Sequence, residues 1–248
     1  MTHVLYLSLM KFSTVFLIFY TILSLVHLWA GQFGQPNLAF YTKPTLMLLL
    51  MGWFYFSTKN HPSTFRNLIV LALLFSFGGD TLLMFVASQG EHFFLLGLGS
   101  FLIAHACYLF AFSKHKPQIQ GWLKTKPLLT IPLVILLIGF LSYLIPDIAK
   151  AMQIPVVIYS LVIMAMVLSV LNLGEKISSN VFTTLFAGAL LFMFSDMMIA
   201  VNKFKSPIPY SHIAIMLTYL LGQFFIIKAS RDLVRSSKRE TFLRASNL

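Results

Sequence analysis

The chain has 248 residues, of which 58% are hydrophobic and only 10% charged, yet its formal charge is +11. A water-facing globule carries about a quarter charged residues, so a soluble fold is excluded. The basic residues sit in short gaps between apolar runs and near the C-terminus, with no nucleic-acid motif beside them, which sets nucleic-acid binding aside and points to orientation signals at a membrane.

Crossing roughly 30 Å of hydrocarbon takes about 20 apolar residues as a helix. Eight such stretches follow one another. The first, 12–30, comes after Lys11; it is longer than a signal-peptide core and lacks a small-x-small cleavage site, so it reads as a span. The second, 41–57, is the shortest, and opens on Lys43 and Pro44 as at a first helical turn. The third, 66–87, carries Asp80, and the fourth, 93–113, carries His105, Cys107 and Tyr108. Cys107 is the only cysteine, so disulfide frameworks and thiolate metal clusters are excluded. The fifth spans 127–145. The sixth, 151–171, holds Pro155 and Tyr159; the seventh, 181–201, holds Ser195 and Asp196; the eighth, 210–229, holds Tyr219 and Gln223.

Lys43, Lys150, Lys203 and Lys205 fall on one side of this arrangement, and the other fourteen Lys and Arg residues on the opposite side. The positive-inside rule then places both termini in the cytoplasm. The expectation is an all-α polytopic bundle of about eight helices, with residues 1–229 as one transmembrane domain and 230–248 as a basic cytoplasmic tail. The short loops favour a bacterial cytoplasmic membrane. Phe77–Met84 resembles Phe194–Met198, and Pro44 and Pro155 each stand one span earlier, which suggests a parallel four-plus-four repeat.

An acid at mid-membrane costs about 2.5–3.5 kcal/mol on insertion scales, so Asp80 and Asp196 should face the bundle interior or a wet cavity. Both lie about fifteen residues from the inner end of their spans, at similar depth, and could face each other. Taken singly, each could instead only hydrogen-bond a neighbouring helix, Asp80 together with Ser76 one turn earlier. His105 and Tyr108 share one helical face, as do Tyr219 and Gln223. Tyr159 adds a further polar tip. His27 and His212, near span ends, read as headgroup-level residues. Lys43 is open to two readings, a phosphate contact at the mouth of a cavity or a snorkelling anchor. No GxSxG, HExxH, Walker or Rossmann pattern occurs. His105, Asp80 and Asp196 would make a poor zinc set, so neither metal nor cofactor is expected.

Lys43-Pro44, Phe75-Ser76 with Gly79-Asp80 and Leu83-Met84, Ala104-His105 with Tyr108, and Pro155 with Tyr159 form an ordered series. It continues through Gly188-Ala189, Phe194-Ser195-Asp196 with Ala200, and Tyr219 with Gln223. The series resembles the YhhN-like family of lysoplasmalogenases and covers most of the chain; Met198-Ile199 departs from the Leu that usually precedes the Ala. The resemblance implies a polytopic enzyme that cleaves the vinyl ether bond of lysoplasmalogens. Its products would be a fatty aldehyde and a glycerophospho-ethanolamine or -choline.

Such chemistry needs a proton delivered to carbon and a base for the attacking water, a task that paired carboxyl groups perform in glycosidases. On this reading Asp80 and Asp196 supply acid and base, and His105, Tyr108 and Tyr159 orient substrate or water. Tyr219, Gln223, Ser195 and Lys43 complete the candidate site. The expected partners are a lysophospholipid and the surrounding lipid. A proton-coupled transporter using the paired acids is the alternative, and a non-catalytic lipid-binding scaffold a third reading.

Overall fold

Hydrocarbon offers no water to satisfy a backbone, so each apolar stretch must close its hydrogen bonds within itself, as a helix does. A computed structural model of the chain describes residues 2–116 and 118–246, with side chains described for 13–86, 88–116 and 118–236. The long helices are α1 (Thr2–Gln32), α2 (Pro36–Thr58), α3 (Thr64–Met84), α4 (His92–Ser113), α5 (Ile131–Leu144), α6 (Lys150–Leu171), α7 (Ser179–Phe204) and α8 (Ser211–Ser246). They correspond one for one with the eight expected stretches. Short 3-10 turns, Pro127–Thr130 and Ile145–Asp147, extend α5 at both ends.

Among the described residues, seven of these segments are long and apolar enough to cross a membrane, and the chain is an integral membrane protein. The exception is α2, which has 23 residues but carries Asn37, Thr42, Lys43 and Thr45 in its first half. It begins at Pro36, after a turn in which Gly34 takes a positive φ of 65°. Lys43 and Pro44 are therefore inside the helix rather than in its first turn, and Pro155 is likewise inside α6. Proline is tolerated in buried membrane helices because neighbours satisfy the carbonyl it leaves free. At the other end of the chain, 230–246 continues α8 as helix. The side chains of Lys11, Lys238, Arg239 and Arg244, used above for orientation, lie outside the described residues.

Backbone contact fixes how α7 meets α8. A Cβ on Gly188 would stand 2.8 Å from the Ile226 nitrogen, and one on Gly222 would stand 2.8 Å from the Phe192 nitrogen. Small residues at such a crossing let the helices approach to van der Waals contact, the main source of cohesion where lipid is as apolar as leucine. Gly222→Ala should therefore destabilise the protein by about 1–3 kcal/mol in detergent unfolding. Gly52→Ala, where an added Cβ meets nothing within 4 Å, should melt like the parent. Equal melting of the two variants would refute this account of the crossing.

Helix α5 is attached differently. Only Leu133 and Leu144 of its residues are buried, and Ile135 and Ile138 are more than half exposed. Its ends are tied down instead. Before it, the Leu123 N–H donates to Asn172 Oδ1 (3.1 Å), Lys126 pairs with Glu175 (3.3 Å), and Trp122 packs edge-on to Phe182. After it, Lys205 pairs with Asp147, and Gln153 Nε2 donates to the Ile148 carbonyl at 3.1 Å.

Candidate active site

The candidate residues gather into two carboxylate centres and one neutral network. In the first centre Asp80, buried on α3, accepts a hydrogen bond from the Tyr219 hydroxyl of α8 at 2.6 Å. Its other oxygen lies 3.2 Å from Lys43 Nζ of α2. Lys43, eight positions into the α2 that starts at Pro36, thus pairs with Asp80.

In the second centre Asp196 of α7 accepts from the Tyr159 hydroxyl of α6 at 2.5 Å. His105 Nε2 of α4 lies 3.5 Å from the same carboxylate oxygen. The other ring nitrogen, Nδ1, is 2.8 Å from the Phe101 carbonyl, which can only accept, so Nδ1 carries a proton. In a neutral ring Nε2 then presents a lone pair towards Asp196. At 3.5 Å the two are not hydrogen-bonded, and among the described residues His105 Nε2 is buried without a hydrogen-bond partner.

The neutral network joins Tyr108, whose hydroxyl donates to Gln223 Oε1 at 2.8 Å, and Gln223 Nε2, which donates to Ser76 Oγ at 3.0 Å. All three are buried. Ser76 therefore serves Gln223, whereas the sequence suggested it for Asp80. Ser195, although next to Asp196, donates to the Ile215 carbonyl at 3.0 Å and ties α7 to α8. His27 and His212 pack against each other and their neighbours. His27 is buried, with Nδ1 2.8 Å from Thr42 Oγ1. The His212 ring lies 5.3 Å from that of His27, in space where a Cβ on Gly31 would collide with it.

Two rings that sequence reasoning missed stand between the carboxylates. Phe192 lies 4.6 Å from His105 and 5.5 Å from Tyr219, centroid to centroid, and Phe101 lies 5.9 Å from Tyr219. Asp80 and Asp196 each have their own partners, Lys43 and Tyr219 for the first and Tyr159 and His105 for the second. A signal was available: Phe101 and Phe192 each stand one helical turn before a site residue, His105 and Asp196, on the same face.

Asp196 and Tyr159 line a narrow pocket of about 50 Å³, so a substrate must widen it on binding. The rest of its lining is almost wholly apolar, with Leu83, Phe94 and Phe101 on one side and Phe140, Val156 and Met193 on the other. Asp80 does not line it. His105 and Asp80, the ligands considered for zinc, belong to different centres, and an ammonium already faces Asp80. Among the described residues no group of three or more His, Cys, Asp or Glu side chains is placed to hold a metal ion.

What this arrangement can do is limited and specific. It sets a carboxyl beside a tyrosine hydroxyl and an imidazole nitrogen on the wall of an apolar pocket, and a second carboxyl against an ammonium behind aromatic rings. That combination suits proton delivery to an apolar substrate with little competing water.

Comparison with known proteins fits such a site. A human protein named lysoplasmalogenase TMEM86B is 28% identical over 199 residues, covering 80% of this chain and 78% of its own length. A bovine lysoplasmalogenase TMEM86A is 32% identical over 185 residues, covering 73% of this chain and 70% of its own. The human TMEM86A is 33% identical over 171 residues, covering 67% and 65%. No solved structure matches. The sequence model of the YhhN family matches residues 38–230, a stretch that contains both carboxylate centres and every partner described for them, and the chain belongs to that family.

Proposed function

We propose that this protein hydrolyses the vinyl ether bond of lysoplasmalogens, releasing a fatty aldehyde and a glycerophospho-ethanolamine or -choline. One observation carries the reading: Asp196, bonded by the Tyr159 hydroxyl and with His105 Nε2 3.5 Å away, is the one carboxyl on the wall of an almost wholly apolar pocket. Its relatives' names support the substrate class.

The reaction balances with groups the chain supplies. Asp196, with His105 behind it, gives a proton to the alkenyl carbon distal to the ether oxygen, and the double-bond electrons form that C–H bond. The carbon bonded to oxygen becomes an oxocarbenium ion, which the new Asp196 carboxylate and the Tyr159 hydroxyl flank. Water attacks that carbon and loses a proton to a base, giving a hemiacetal. The hemiacetal collapses to the aldehyde and the glycerol hydroxyl.

Asp80 is the second carboxyl. Both its oxygens face donors, Lys43 and Tyr219, so it is held as the carboxylate and is the base of this scheme. Because Phe101 and Tyr219 stand between it and the pocket, the scheme requires a water path past the Phe101 ring when substrate is bound. His105 and Tyr159 position the reacting carboxyl, while Tyr108, Gln223 and Ser195 act through the packing of α4, α7 and α8.

The test is aldehyde release from lysoplasmalogens of both headgroups by the purified protein, beside Asp80→Asn and Asp196→Asn. Release by the parent and its loss in both folded variants is the expected result. No release from either headgroup by the folded parent would overturn the proposed activity. Release surviving in both variants would remove the carboxyl mechanism.

A further inference from the structure

The pocket at Asp196 does not end at Phe140. A second, smaller void of about 20 Å³ adjoins it, with Leu136, Leu137 and Met164 added to the lining. Phe140, Ser160, Ile163, Met193 and Met197 border both spaces. The two voids are therefore adjoining lobes of one crevice: the first lies among α3, α4, α6 and α7, the second beneath α5 against α6 and α7, and Phe140 is the α5 residue that borders both. Asp196 stands in the first lobe only.

We propose that this crevice binds the hydrocarbon chain of a single-chain lipid, and that Phe140 sets the chain length accepted. The inference deepens the hydrolase reading, because it takes the reacting end of that chain to lie at Asp196; the chain site itself stands on geometry.

Three features favour a hydrocarbon chain over other occupants. Beyond Asp196, Tyr159 and Ser160 the lining is hydrocarbon, thioether and aromatic, and offers nothing to fix a second polar group. Met164, Met193 and Met197 are unbranched and adjust to a flexible chain more readily than β-branched residues would. The cover of the second lobe is also a loosely embedded helix: α5 buries two residues and is held at its ends by loop contacts and two ion pairs. A chain already dissolved in the bilayer can enter sideways by displacing the middle of α5, without crossing water.

The same setting dictates how length is read. A chain moving from lipid into this crevice exchanges one apolar environment for another, so each added methylene contributes little driving force. Discrimination must come from steric fit, and the narrowest point decides it. Removing the Phe140 ring would merge the lobes and favour longer chains. Enlarging it would close the second lobe and favour shorter ones.

Two measurements on the full-length protein in lipid nanodiscs test this. The first uses a lysophosphatidylcholine with a diazirine at the chain terminus, irradiated with and without excess unlabelled lysophosphatidylcholine, and locates the adducts by mass spectrometry. Labelling that the competitor suppresses should fall on 131–144 of α5 and on the facing part of α6. Competitor-sensitive labelling confined to other helices, or none at all, would overturn the site. The second measures aldehyde release across a series of alkenyl chain lengths for the parent, Phe140→Ala, Phe140→Trp and the lipid-facing control Ile135→Ala. The long-to-short preference should rise about tenfold in Phe140→Ala, fall in Phe140→Trp and stay unchanged in the control. Unchanged profiles in both Phe140 variants would remove Phe140 from the proposal. Failure of the parent to act on any chain would count against the hydrolase reading alone, because the labelling decides the crevice without chemistry.

Discussion

Asp196→Asn should lower kcat for aldehyde release by about 10²–10⁴-fold while leaving KM and the unfolding temperature close to those of the parent. The small structural effect follows from hydrogen-bond geometry. An asparagine oxygen in the place of Asp196 Oδ2 can still accept from the Tyr159 hydroxyl, and the 3.5 Å approach of His105 Nε2 to that same oxygen is too long to cost much. What is lost is the transferable proton. KM should hold because the lipid is bound by the apolar crevice, and the substitution removes none of it. His105→Phe should give a smaller loss of kcat, since the carboxyl remains and only its partner is gone. If Asp196→Asn and His105→Phe lose activity equally and both melt early, the contact is structural and the acid lies elsewhere.

Lys43→Met should be the most destabilising single change in the site, by about 3–5 kcal/mol, because it strands a charge at Asp80 in the bundle interior. The Asp80 side chain is 2% exposed and that of Lys43 17%, so the two ends of the pair are not equivalent. Asp80→Asn leaves an ammonium on a four-carbon stem that can bend towards the interface, and should cost less. Lys43→Met with Asp80→Asn together should recover most of the stability lost by Lys43→Met alone, which thermal unfolding of all four proteins would show as a coupling between the positions. A Lys43→Met protein that melts like the parent would mean that Asp80 carries no charge to be stranded.

The helices were legible in the sequence because the hydrocarbon thickness sets their length and backbone satisfaction sets their form. That Asp80, Asp196, Tyr159 and Tyr219 face the bundle interior was legible because a polar group in an apolar helix must find a partner there. The partners themselves were not. Lys43 was placed at a helix end because proline rules learned in water put Pro44 in a first turn, whereas the helix starts at Pro36. Ser76 was assigned to Asp80 by helical spacing alone, and spacing does not say which neighbour from another helix arrives first. The loose seating of α5 was invisible for a different reason: residues facing lipid and residues facing the core are equally apolar, so composition does not separate a tightly packed helix from a cover.

The order in which the chain is made gives the Lys43–Asp80 pair a second significance. Tyr219 lies 139 residues after Asp80 and does not yet exist when α3 enters the bilayer. Tyr159 and His105, by contrast, both precede Asp196, so the second acid arrives to find its partners already in place. Of the two groups that face Asp80, Lys43 is the one synthesised before it. Pairing with α2 lets α3 be inserted with its acid neutralised, and the tyrosine that finishes the centre docks only when the last helix arrives.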